Sequence, residues 1–231
     1  MVNAGSTRDA ERPVPDAAQS GVPIGYTLVL PPAWRRIPVR HGTGKAIKKI
    51  LDDAFGHLPK QARADTVMPW RKEIEQRLAS AAKQARRSGG LDLYLPVTTM
   101  HGSIIPASFI VSEGSLASAE QVDPAEIIAY MCAGSDAYRP VAIDEAIGVR
   151  FEHTARPDPP RVEHGSRRVD YTLSVPGELD RWLVVAFSTL GSGDPADQYA
   201  KLLVELFDAI MSTFRWRQRQ DIAVAARTES G

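Results

Sequence analysis

Trp182-Leu183-Val184-Val185-Ala186-Phe187 is apolar at all six positions, too short for a helix and rich in β-branched and aromatic side chains. A strand of this kind is expected to be central and covered on both faces, because every side chain, whichever face it points to, must leave water. Upstream, Val169, Tyr171, Leu173 and Val175 alternate with Asp170, Thr172 and Ser174, the period-two pattern of a strand with one buried face. Pro176 to Asp180 reads as the turn between the two. Downstream, Tyr199, Leu202, Leu203, Leu206, Ile210, Met211 and Phe214 recur at helical spacing, and Asp194-Pro195 offers a cap followed by a first-turn proline. The fold therefore rests on a terminal helix packed on a pleated layer.

Further strands fall on either side of this core. Ile147, Val149, Phe151 and His153 share one face, with Arg150 and Glu152 on the other. Leu91, Leu93, Leu95 and Val97 alternate with Asp92 and Tyr94, which predicts a half-buried strand with the leucines inward. Ser103 to Val111 reads as its hairpin partner across Met100-His101-Gly102, with Pro106 marking an edge or bulge. Tyr26 to Leu30 is a short apolar strand stopped by Pro31-Pro32, and Trp34 follows as a core anchor. Arg156 to Ser166 is a polar, proline-bearing loop.

Three helices are predicted besides the last. One runs from Gly44 to His57, with Ile47, Ile50, Leu51 and Ala54 on one side. A longer one starts near Asp65 or Thr66 and stops at Ser88-Gly89-Gly90, its buried stripe being Trp70, Ile74, Leu78, Ala81 and Ala85. A short one opens on Asp123-Pro124-Ala125-Glu126, a cap, a first-turn proline and an acid three residues after the cap. The first two form a helical hairpin. Between Gly44 and Gly90 stand eleven basic residues against five acidic. Lys48, Lys49, Arg71, Lys72, Lys83 and Arg86 are the residues of this segment most suited to meet a partner.

Bulk composition sets limits. Lys+Arg and Asp+Glu are 28 each in 231 residues, so no net field draws the molecule to nucleic acid or anionic lipid. The one cysteine, Cys132, excludes an internal disulfide and any multi-cysteine zinc site. No apolar run approaches the ~20 residues that span a bilayer, and residues 1–22 lack a signal-peptide core. A cytoplasmic protein is expected, with export by a signal-less route as the alternative. The domain reading is a tail over 1–22, a single domain over 23–216 with the hairpin of 44–90 added to it, and a tail over 217–231.

No catalytic constellation is legible. Gly42-Thr43-Gly44-Lys45 resembles a phosphate loop, but Val39 stands where its first glycine belongs and Ala46 where Ser or Thr should hold magnesium. His41, His57, His101, His153 and His164 have no metal-ligand spacing. Cys132, beside Met131, reads as a small buried hydrophobe. Neither cofactor nor metal is expected.

The two ends resemble PsbP/Mog-like proteins. Tyr26-Thr27-Leu28-Val29-Leu30-Pro31-Pro32-Ala33-Trp34 is similar to their strand–proline–tryptophan opening. Trp182 to Thr189, followed by a helix closing in Phe207-Asp208-Ala209-Ile210 and Arg215-Trp216, is similar to their last strand and helix, an ending shared with uncharacterised proteins of GC-rich bacteria. The resemblance covers about a quarter of the chain and implies an α+β fold, an α/β/α sandwich with a mostly antiparallel sheet, to which the helical hairpin is an addition. It also implies a non-enzymatic protein-binding role, since members include a nuclear transport factor, a photosystem subunit, lipoproteins and chaperones for secreted effectors; no lipobox cysteine precedes the domain here. The expected function is an adaptor or chaperone, of the kind linked to bacterial secretion or toxin systems, with a protein partner and neither nucleic acid nor membrane. The alternatives are a structural homo-oligomeric subunit, or an enzyme whose site gathers His153, His164 and Glu152.

Overall fold

The computed structural model describes residues 21–56, 67–99, 102, 105–115, 122–157 and 164–219. Among these lie a seven-stranded antiparallel sheet, a two-stranded ribbon and four helices, an α+β architecture. The strands are β1 (Gly25–Thr27), β2 (Trp34–Pro38), β3 (Gly90–Pro96), β4 (Ala107–Ser115), β5 (Tyr138–Ile143), β6 (Ala146–Ala155), β7 (Ser166–Val175), β8 (Glu178–Thr189) and β9 (Arg215–Arg217). The helices are α1 (Thr43–Gly56), α2 (Met68–Arg87), α3 (Pro124–Ala133) and α4 (Gln198–Ser212). The large sheet has the order β2-β3-β4-β8-β7-β6-β5, and β1 pairs with β9 apart from it.

The six-residue apolar run forms the middle of β8, the central strand. Leu183, Val185 and Phe187 point to one face, where α4 presents Leu203, Val204, Phe207, Ile210 and Met211, all buried. Phe207 is the hub: its ring stacks on Phe187 at 4.7 Å and meets Phe109 at 5.5 Å and Tyr171 edge-on at 5.7 Å. Each such side chain removed from water contributes about 1.5–3 kcal/mol, so α4 and this face hold the domain together. The helix differs from its sequence reading in two ways. It is capped by Asp197, whose carboxylate accepts from the Ala200 amide at 2.5 Å, while Asp194-Pro195 only turns the chain ahead of it. Leu202 is 50% exposed, and Val204 and Phe207 stand in the stripe instead.

On the opposite face two helical units sit side by side. Ile47, Ile50 and Leu51 of α1 pack on Ile37, Leu93 and Leu95, and Ala82 and Ala85 of α2 pack on Val39, Leu93 and Ile110. Over the far strands, Ile128 of α3 packs on Val149 and Trp182. The Asp123 cap on α3 is formed as expected, its side chain accepting from the Ala125 amide at 2.8 Å.

In β3 the period is as expected and the orientation is reversed. Asp92 and Tyr94 are 2% and 3% exposed, and Leu91, Leu93 and Leu95 are half-buried. The α4 face has the deeper core, and Asp92 can enter it because Arg36 and Tyr26 satisfy its carboxylate. β4 is an internal strand, and Pro106 lies just ahead of it. Residues 25–30 give only a three-residue strand, which leaves the main sheet to pair with β9: Gly25 with Arg217, Tyr26 with Trp216, Thr27 with Arg215. Arg217, assigned to a terminal tail from sequence, belongs to that ribbon. Residues 1–20 and 220–231 lie outside the described residues, as do Pro59, Asp65, Thr66, Met100 and His101.

Both edges of the large sheet carry a proline, Pro38 in β2 and Pro140 in β5. A proline has no amide proton to offer a further strand, so neither edge presents a full row of donors. At the turn between β5 and β6, Asp144 has φ 46°, a left-handed conformation that Asp tolerates better than most side chains. Its carboxylate accepts from the Trp216 amide at 2.7 Å, tying this hairpin to the ribbon.

Candidate functional site on the helical hairpin

The residues singled out from sequence sit on α1 and α2, which the structure brings together as a hairpin. Arg71 of α2 donates to Asp52 of α1 at 2.5 Å and is half-buried, so it joins the two helices rather than facing a partner. Lys48, Lys49, Lys72, Lys83 and Arg86 are exposed, and none has an ion-pair partner among the described residues. Lys72, Lys83 and Arg86 fall on one side of α2 by the helical repeat.

The apolar side of α2 departs from its sequence reading. Only Ala82 and Ala85 are buried and Leu78 is half-buried; Ala81 is exposed, Trp70 is 63% exposed and Ile74 37%. The C-terminal half of the helix lies on the sheet, and the N-terminal half extends past the surface that would cover its stripe. Met68, 55% exposed, adds to the uncovered set. The helix begins with Val67 at the cap position and no side-chain cap, with Pro69 in the first turn as expected. The hairpin thus presents two flanks, one apolar around Trp70 and Ile74 and one cationic. Gly42-Thr43-Gly44-Lys45 is the opening turn of α1: Gly42 has φ 75°, its carbonyl accepts from Ala46, and the Thr43 hydroxyl donates to the Pro38 carbonyl at 2.7 Å.

Of the residues of the enzymatic alternative, Glu152 and His153 both line one cleft with Arg150 and Arg167, and His164 does not line it. Glu152 and His153 are neighbours on β6 and so point to opposite faces. Glu152 accepts from Arg167 at 2.7 Å and pairs with Arg150 at 2.8 Å; burial works against its ionisation, but these two guanidinium groups outweigh it and hold its pKa below the ordinary value. His153 stacks on Phe151 at 4.7 Å on the other face, and His164 is exposed beyond the β6–β7 pairing. No group of three or more His, Cys, Asp or Glu among the described residues is placed to hold a metal. Cys132 is half-buried beside the α3–β6 contact.

Two polar clusters escaped the sequence reading. On the α3 side of the sheet, register aligns Phe151, Asp170 and Ala186 across β6, β7 and β8. Burial raises the Asp170 pKa, with His153 and Arg168 opposing it. On the α4 side, Tyr26 donates to Asp92 at 2.5 Å and lies 3.0 Å from the Tyr94 hydroxyl, while Arg36 grips the same carboxylate at 2.6 and 3.0 Å. Burial pushes Tyr94 up to about 12 and Tyr26 well above the usual phenol range. The one signal for this cluster in the sequence is an aspartate set among leucines in a strand.

No family model matches the chain, and no curated protein matches it either. Among solved structures, a crystal structure from Bacteroides thetaiotaomicron VPI-5482 is similar at 12% identity over 57% of this chain, with a TM-score of 0.35. The chain spans 40% of the length of that neighbour. No helix among the described residues is long and apolar enough to cross a membrane.

Proposed function

We propose that this protein is a non-enzymatic binding module, an adaptor or chaperone, whose helical hairpin docks an acidic, apolar-faced segment of a protein partner. The observation that carries this reading is Trp70, a large aromatic 63% exposed at the uncovered end of α2, with Met68 and Ile74 also in water. Exposed aromatics of this kind anchor interfaces, where they lose little conformational freedom on binding. Lys48, Lys49, Lys72, Lys83 and Arg86, which have no ion-pair partner among the described residues, draw an acidic partner at long range and speed encounter, those of α2 from the flank opposite Trp70. Helices on both faces of an antiparallel sheet support the finer reading of an α/β/α sandwich; a PsbP/Mog-like type, with the hairpin as its addition, and a cytoplasmic compartment are part of the same proposal.

The test begins with a photo-crosslinking amino acid at position 70 in the native host, which identifies the protein that contacts it. That protein is then purified and its affinity measured for the wild type, for Trp70→Ala/Ile74→Ala and for Lys48→Glu/Lys72→Glu. The proposal expects at least about a tenfold loss for the first pair and a salt-dependent loss in association rate for the second. Unchanged affinity in the first pair overturns it. A crosslink to a second copy of this chain, with a dimeric mass in solution, replaces it with the homo-oligomeric reading.

A further inference from the structure

Away from the hairpin, a cleft of about 450 Å³ opens between the β1–β9 ribbon and the end of the β2–β3 pair. Arg36, Arg40, His41 and Arg217 reach its walls, and Tyr26 and Asp92 form its floor. The floor carboxylate is closed to any ligand. Asp92 is 2% exposed, one oxygen accepts from Arg36 Nε, and the other accepts from Arg36 Nη2 and the Tyr26 hydroxyl.

The cations above it are not closed. The Arg36 side chain remains 58% exposed, and no contact engages its Nη1 among the described residues. Arg40 donates Nη2 to Glu113 at 3.0 Å, and that carboxylate is shared with Arg181, whose Nε donates to it at 2.6 Å. Arg217 is exposed, with no ion pair among the described residues. Three arginines line the cleft against Asp92, while Glu113 behind Arg40 is shared with Arg181, itself also near Glu178, so the whole group of four arginines and three carboxylates keeps an excess of one positive charge before His41 is counted. Ile24, Pro38 and Leu91 add an apolar wall. A concave site of this volume suits one small molecule, and guanidinium groups presented from two segments, β2 with the loop after it and β9, suit a planar or tetrahedral anion.

We infer that this cleft binds a small organic anion, a molecule carrying a carboxylate or phosphate that Arg36, Arg40 and Arg217 hold while its apolar part lies on Ile24 and Leu91. Arg36 is fixed by Asp92 and so is the preorganised donor; Arg40 and Arg217 close on the anion from either side. This assignment is independent of the hairpin reading and stands or falls alone.

The test is a titration of the full chain, following arginine Nε–H resonances by NMR, with inorganic phosphate in one arm and citrate in the other, and sodium chloride at matched ionic strength as reference. Saturable shifts of Arg36, Arg40 and Arg217 are expected with at least one of the two anions, and the better arm assigns phosphate or carboxylate chemistry. Arg217→Ala, whose side chain makes no hydrogen bond or ion pair among the described residues, is expected to weaken binding about tenfold, or ~1.4 kcal/mol. Lys201→Ala, at an exposed cation on α4 outside the cleft, leaves it unchanged. Glu113→Gln, which releases Arg40, tightens it. The inference is overturned if neither anion saturates above the chloride reference, or if Arg217→Ala binds as well as the wild type.

Discussion

Arg150 on β6 holds Asp208 on α4 through two parallel hydrogen bonds, Nε at 3.0 Å and Nη2 at 2.9 Å, and the Tyr171 hydroxyl donates to the same carboxylate at 2.8 Å. The bidentate pair fixes the position of the terminal helix along the sheet, a direction that apolar packing leaves soft. Asp208→Ala leaves a guanidinium only 12% exposed with Glu152 as its remaining anion, and a phenol without its acceptor. The expected loss is about 2–3 kcal/mol, read from urea unfolding with an unchanged slope. A loss no greater than a surface substitution gives would show that the pair carries no stability.

Gly148 supplies a second test in the same strand. A Cβ there would collide with the Thr172 backbone carbonyl of β7 and press on Leu173. Because the obstacle is main chain in a ladder, it cannot rotate away. Gly148→Ala is expected to cost about 3 kcal/mol, and full retention of the melting temperature would refute the close strand approach.

The two halves of the hairpin should respond in opposite ways to truncation. Leu51, 2% exposed between α1 and the sheet, should lose about 2–4 kcal/mol on Leu51→Ala. Trp70→Ala, despite removing a larger side chain, should stay within about 0.5 kcal/mol. Equal losses in calorimetry would mean that Trp70 is packed in the free protein.

Asp170 gives a pH dependence of known sign. Burial raises its folded pKa above the unfolded value, so the folded state binds the proton more tightly and stability falls as pH rises through that window. At neutral pH the charged group opposes folding. Asp170→Asn should therefore raise the melting temperature at pH 7 by about 1–2 °C, with the gain vanishing below the unfolded carboxylate pKa of about 3.9. A lower melting temperature at pH 7 would mean that the charge is engaged by a partner and stabilising.

The central strand and the terminal helix were legible because their patterns are local: six apolar residues in a row need cover on two sides, and a 3.6-residue stripe needs a sheet. The errors arose where a distant segment decides. Period two in β3 is blind to which face is deeper; Asp92 is buried because Arg36 and Tyr26, 56 and 66 residues away, satisfy it. The stripe on α2 follows a correct period, but periodicity does not say where the sheet beneath it ends, so by pattern alone Trp70 and Ile74 belong to the core. β5, a six-residue strand with a proline in it, gives little alternation to read. Of the candidate surface, the lysines were legible as charge, whereas the exposed tryptophan and the arginine cleft became visible only once register was known.

The ribbon places Gly25 against Arg217 at its outermost rung and Thr27 against Arg215 at its innermost. Tension applied at the two ends loads those rungs one at a time, as in a zip, instead of all together in shear. The ribbon is expected to open rung by rung under load and to uncover Tyr26 and Phe214, whose rings stack at 5.6 Å, while the Asp144–Trp216 and Tyr26–Asp92 contacts pass part of that load to the seven-stranded sheet.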